Sequence, residues 1–413
     1  MLSRDDDDFH NKKTSQKVTR WLPDIVWSLI IDQKCDEAQP KCGFCELRKL
    51  DCLYVPKTTK SAEAANPTST SDATTELTLS RRGSSSRSSV QPVETWNLTS
   101  SLFPPITTAT ETLSVMDLRM MHHYSMYTGG IIALGPEACY VMRVAVPSLA
   151  FENEFLMHGM LGMAALHNCY LLPHEDIHQR QLAVYRTKAL NSYRLALSSV
   201  SKDSKNYEAV LIMSLLLVVL LSGGPATTDD LTVINWLGLY RGLGLIIRLK
   251  DGDVVTGNSI GPLFVRNLND LLATPVVPTV LLNMLFMEPD DEDFGDLQLY
   301  CQTLDALGLL YASLRQDELT EPLFIRIISW PSFTPPAFTD IAKKMRPRAL
   351  VICAYYMCFV KLVRGLWWIE GLADRDIKNI SKMLGPDWNH VMDVPLQVLQ
   401  MKDKLEIVKL LLR

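Results

Sequence analysis

VMRVAVPSLAFENEFLMHGMLGMAALHNCY, residues 141–170, is the stretch whose reading decides the fold class. Within it and just beyond, residues 152–172 alternate nowhere as a strand does, and Gly159, Gly162, Ala164 and Ala165 lie among Leu and Met. Small residues at such intervals let a second helix approach closely, so a buried helix is expected here. Downstream, Leu182, Tyr185, Ala189, Tyr193 and Leu197 recur at three- and four-residue steps, which is one face of an amphipathic helix over 176–199. Upstream, LSVMDLRMMHHYSMY opens a helical run within 112–128. Further helices are expected over 231–249, near 262–272, 296–314, 347–369 and 373–384, and from Met401 to Leu412 as a C-terminal lid. Asp229 and Asp230 suit the N-terminus of the 231–249 helix, because the helix dipole favours carboxylates there. The pattern predicts a mostly α chain with a large all-helical domain over 112–413.

The most apolar window, AVLIMSLLLVVLLSGG from Ala209 to Gly224, is stopped by Gly223, Gly224 and Pro225. A membrane span needs about twenty apolar residues. This run is shorter, so it reads as a core helix rather than a span. With 413 residues, 47% of them hydrophobic, the chain can bury a sizeable core. Its net charge of −5 argues against a protein that coats nucleic acid globally. The charge is uneven, since residues 9–60 hold ten Lys or Arg against six Asp or Glu. Residues 1–33 form a divergent, locally basic N-terminal segment, and 57–111 a Ser/Thr/Pro-rich stretch expected to be a disordered linker. No secretory signal is visible, so the Asn97-Leu98-Thr99 sequon carries no weight and a reducing compartment is expected. Arg81-Arg82-Gly83-Ser84 reads first as a solvated charge cluster.

Between the basic segment and the linker, residues 34–56 read KCDEAQPKCGFCELRKLDCLYVP. Four cysteines, Cys35, Cys42, Cys45 and Cys52, are spaced C-x6-C-x2-C-x6-C. Four thiolates can close one tetrahedral zinc site at about 2.3 Å. The other five, Cys139, Cys169, Cys301, Cys353 and Cys358, lie in apolar helical text and are expected to be buried free thiols.

The 34–56 text resembles the fungal Zn2Cys6 binuclear cluster, a DNA-binding module. The family pattern is C-x2-C-x6-C, a short proline loop, then C-x2-C-x6-C. The four cysteines fall on its third to sixth positions, and Asp36, Glu37 and Pro40 also fit. The first two positions hold Ile25 and Ser28. The resemblance implies two zinc ions in an intact module, with the first and fourth cysteines bridging; without the first, one ion is expected. It also implies DNA contacts from the residues before Cys35, where LIIDQK (29–34) keeps only Lys34; Lys41, Arg48 and Lys49 remain to touch backbone phosphates. DNA binding by the chain as it stands is therefore weakened. Either RWLPDIVWSLIID (20–32) is translated non-coding sequence, or the product has truly lost DNA binding.

Residues 113–398 resemble the regulatory domain of the fungal sterol-uptake-control factors, through the opening stretch, WWIEGLADRDI and LGPDWNHVMDVP. That likeness implies an all-helical domain that binds a sterol or similar lipid, in a nuclear regulator of RNA polymerase II transcription that is not an enzyme. Met157, Met160 and Met163 could repack around such a ligand, or simply fill a solid Met/Leu core. A homodimer is compatible, although no clear heptad run follows the cysteines. The alternative is a helical lipid-sensing or interaction protein that no longer binds DNA.

Three further motifs are weak. His174-Glu175-Asp176-Ile177-His178 matches H-E-x-x-H, but Pro173 places it across a helix start rather than inside a helix. Gly242-Leu243-Gly244 has no strand leading into it, so helix packing is expected rather than a phosphate loop. The acidic string Glu288 to Asp296 reads as a solvated loop more readily than a cation site.

Overall fold

A computed structural model describes residues 114–223, 231–250, 259–264, 274–316 and 319–413. All belong to one of two compact units into which the chain divides; the other, residues 33–107, lies outside the described residues, as does the expected 57–111 linker. The described residues contain helices and no strands.

Helix α1 (Val115–His123) starts at a capping box: Asp117 N donates to Ser114 Oγ at 3.2 Å, and Ser114 N to Asp117 Oδ2 at 2.8 Å. It runs into a π-helical turn, Tyr124–Thr128. Two short helices follow, α2 (Pro136–Tyr140) and α3 (Val146–Ala150), joined by a second π-helical turn. Next come α4 (Glu154–Leu171), α5 (Asp176–Ser199), α6 (Tyr207–Ser222) and α7 (Thr232–Ile247). The second half holds α8 (Thr279–Asn283), α9 (Leu297–Gln316), α10 (Glu321–Ser329), α11 (Pro336–Lys343) and α12 (Pro347–Val360). It closes with α13 (Leu372–Leu384), α14 (Asn389–Gln400) and α15 (Lys404–Leu411).

The glycines of α4 do what their spacing suggests. A Cβ on Gly159 would fall 2.5 Å from Met213 Sδ of α6, and one on Gly162 would fall 3.2 Å from Leu220 Cδ1. A side chain at either glycine would require Met213 or Leu220 of α6 to shift. Almost every α4 residue from Phe155 to Cys169 is buried, and α5 covers it with the five residues expected, Leu182, Tyr185, Ala189, Tyr193 and Leu197. Met160 and Met163 are fully buried and Met157 nearly so. Each such side chain contributes about 2 kcal/mol. Helix α6 is likewise a core helix, and no helix among the described residues is long and apolar enough to cross a membrane.

Some boundaries differ from expectation. The helix expected over 347–369 ends at Val360; Gly365 then takes φ +80°, and a 3-10 turn, Trp367–Ile369, follows. Near 262–272 the described residues hold only a 3-10 turn, Gly261–Leu263. Asp229 and Asp230 lie outside the described residues; within them, a carboxylate distant in sequence accepts from the first turn of α7. Asp376 of α13, fully buried, accepts from Val233 N at 2.9 Å and from Thr232 Oγ1 at 3.1 Å. Burial raises its pKa to about 6 despite these bonds.

The C-terminus is tied down by lysines. Lys361 Nζ donates to Asp374 and to the Val398 and Leu399 carbonyls at the end of α14, and Lys404 Nζ donates to Val363 O. Of the five cysteines expected to be buried, Cys169, Cys353 and Cys358 are; Cys139 is half-buried and Cys301 exposed. The correction at Cys301 follows from its place on α9, whose buried face carries Tyr300 and Leu304.

Candidate functional site

Beside the buried Asp376, two groupings of chemistry-bearing side chains stand out among the described residues. The first is where α1, α4 and the Trp367–Ile369 turn meet. His167 of α4 is 4% exposed, with Nδ1 3.1 Å from Thr128 Oγ1 and 3.2 Å from His123 Nε2. Trp367 packs on its ring at a centroid distance of 4.8 Å, and Tyr170 packs on Trp367 at 5.4 Å. Tyr170 donates to Glu370 Oε2 at 2.8 Å. Two imidazole nitrogens facing each other need one proton between them, and a second would set N–H against N–H. Burial, then His123, depress the His167 pKa to about 4. His123 is depressed as well, by burial first and then by His122 and His178. Both rings are therefore neutral near pH 7. The partners of His167 are a hydroxyl and a second imidazole rather than a carboxylate, so nothing tunes it as a general base. The arrangement is a polar seam between the two halves of the domain.

The second place is the acidic string. Arg348, at the start of α12, reaches both ends of the loop 284–293. Its Nε donates to Met284 O at 2.9 Å; Nη1 and Nη2 donate to Asp291 at 3.0 and 2.6 Å, and Nη1 to Asp293 at 3.0 Å. Arg346 adds Glu292 at 2.5 Å and Asp293 at 3.4 Å. Burial opposes the charge of Arg348, but its two carboxylates outweigh that and raise its pKa, while the Arg348 bonds lower that of Asp291. The string is thus neither a cation site nor fully solvated. Among the described residues no group of His, Cys, Asp and Glu could hold a metal ion.

The other two weak motifs fall where the sequence places them. Helix α5 begins at Asp176, so His174 precedes it and the two histidines of H-E-x-x-H do not share a helical face; His178 instead pairs with Glu175 at 2.9 Å. Gly242 and Gly244 lie inside α7. The zinc candidates Cys35, Cys42, Cys45 and Cys52, and the DNA candidates Lys34, Lys41, Arg48 and Lys49, lie outside the described residues.

Among the described residues the domain is built of helices alone. Residues 119–268 match the family model described as "Fungal specific transcription factor domain", from within α1 past the end of α7. The chain is similar to a Zn(2)-C6 fungal-type transcription factor of Gibberella zeae, with 23% identity over 88% of this chain and 82% of the relative. A Zn(2)-C6 fungal-type transcription factor of Aspergillus fumigatus is 25% identical over 78% of this chain and 80% of its own length. Sterol uptake control protein 2 of Saccharomyces cerevisiae is 24% identical over 68% of this chain but only 32% of that protein. These likenesses support the family suggested by the cysteine run and the helical text.

Proposed function

We propose that the chain is a nuclear, fungal-type regulator of RNA polymerase II transcription whose helical domain carries the regulatory role. The observation that carries the reading is the conjunction of the 119–268 match with the upstream cysteine run at family spacing. In this reading Cys35, Cys42, Cys45 and Cys52 hold one zinc ion, which supplies about 10 kcal/mol toward folding the small module around it. Lys34, Lys41, Arg48 and Lys49 face DNA, chiefly its phosphates. A sterol or similar lipid is the ligand proposed for the helical domain, on the strength of the sterol-uptake likeness.

Ile25 and Ser28 favour a second reading, in which DNA binding is lost and the helical domain acts as a lipid sensor or interaction protein. Zinc content of the purified full chain, with salt-dependent retention on DNA, separates the two. One zinc with salt-sensitive retention supports the regulator. One zinc or none, without retention, supports the second reading. Two zinc ions per chain would overturn the assignment of Ile25 and Ser28 as non-ligands.

A further inference from the structure

The Arg348 clamp has two sides. It grips Met284 O on one and the carboxylates of Asp291 and Asp293 on the other, so the neck of the loop is fixed to α12. Arg348 is 14% exposed and Asp293 3% in their side chains, so this neck is largely shielded from water. A fixed neck holds whatever the tip displays.

The tip, residues 285–290, displays Phe286 at 83% exposure, the most exposed large apolar side chain among the described residues. Glu288 and Asp290 beside it are exposed too, and neither is drawn into the arginine network. Leu282, near the end of α8 and 46% exposed, is a second exposed apolar side chain shortly before Phe286 in the chain, while Leu281 and Met284 are buried in the core. Around this tip the sequence carries no positive charge of its own, since from Asn267 to Leu314 there is no Lys, Arg or His. A lone exposed aromatic is unremarkable when it is mobile. Here the loop that carries it is fixed at its neck by Arg348, and the exposed Glu288 and Asp290 lie beside it in the chain.

We propose that residues 282–290 form a docking knob for a partner protein: Phe286 and Leu282 enter an apolar pocket whose rim is basic, and Glu288 and Asp290 meet the rim. Charge decides the occupant. A second copy would bring the same carboxylates face to face across a two-fold axis, whereas a basic rim is attracted and steered in. That the partner belongs to the transcription apparatus rests on the proposed function; the knob itself rests on the loop.

The test tethers the full chain to a reporter promoter through a heterologous DNA-binding domain, which makes the readout independent of the N-terminal cysteines. Phe286→Ala and the double change Glu288→Lys with Asp290→Lys are each expected to reduce the effect on transcription by about tenfold, as truncating a buried aromatic anchor does. Phe286→Trp retains the effect, and equal protein levels with unchanged Tm exclude misfolding. An unchanged reporter effect in Phe286→Ala overturns the proposal, as does a tethered wild type that leaves transcription at baseline. Light scattering that shows a dimer lost on Phe286→Ala would assign the knob to a second copy and also overturn it. The zinc and DNA measurements above report separately on the proposed function.

Discussion

Acidification should expose the His123–His167 seam as a titrating element. The imidazole of His167 has a pKa of about 4 in the folded domain, against about 6.5 in an unfolded chain. A group depressed by folding stabilises above its unfolded pKa and loses that contribution as pH falls toward its folded value. Linkage over that interval gives a loss of about 2 kcal/mol between pH 7 and pH 5 from this ring alone. Wild-type stability by itself is a poor readout, because Asp376 works in the opposite sense. Its pKa is raised to about 6, so its burial penalty shrinks as pH drops over the same interval. The comparison is therefore between wild type and His167→Gln, which keeps a polar group near Thr128 but does not titrate over this range. Urea unfolding of both at pH 7 and pH 5, followed by circular dichroism, isolates the ring. The wild type is expected to lose about 2 kcal/mol more than the variant over that interval. Equal losses would mean that His167 can take a proton without cost, and hence that the seam is open to water rather than closed by Trp367 and Thr128.

Asp376→Asn should show the mirror image, flattening the part of the wild-type profile in which stability falls as pH rises from about 4 toward 6, measured in the same unfolding series. Removing the clamp by Arg348→Met leaves Asp293 buried without its main cation and is expected to cost about 3 to 5 kcal/mol in denaturant unfolding. Arg348→Lys should recover only part of that, because an ammonium cannot span Asp291, Asp293 and the Met284 carbonyl together. Gly308→Ala should lower Tm despite alanine's better helix propensity. Its Cβ would meet Pro275 Cβ and Val277 Cγ2 at 3.0 Å and the Val276 backbone nitrogen at 3.1 Å, a crossing that costs about 1 to 3 kcal/mol to displace.

What the sequence reveals follows from how local each interaction is. Helix α5 begins and ends where its apolar spacing predicts, because a face of five buried residues is written into the chain at three- and four-residue steps. Gly159 and Gly162 are legible for the same reason: the helix interface needs small residues on one side, whatever lies opposite. The short helices α10, α11 and α14 lack that redundancy. Two carry proline in their first turn and α14 carries Pro395 inside, so breaker and helix start look alike until packing decides between them. Polar pairing is less legible still. Asp376 lies 143 positions from the Val233 amide it caps, and Arg348 lies 57 from Asp291. From the string alone the acidic loop reads as solvated, because nothing nearby in sequence neutralises it. A carboxylate takes as partner whatever cation the tertiary fold brings to it, and the same reasoning separates the loop's two halves. Asp291 and Asp293 are consumed by that fold, whereas Glu288 and Asp290 are left to face another molecule.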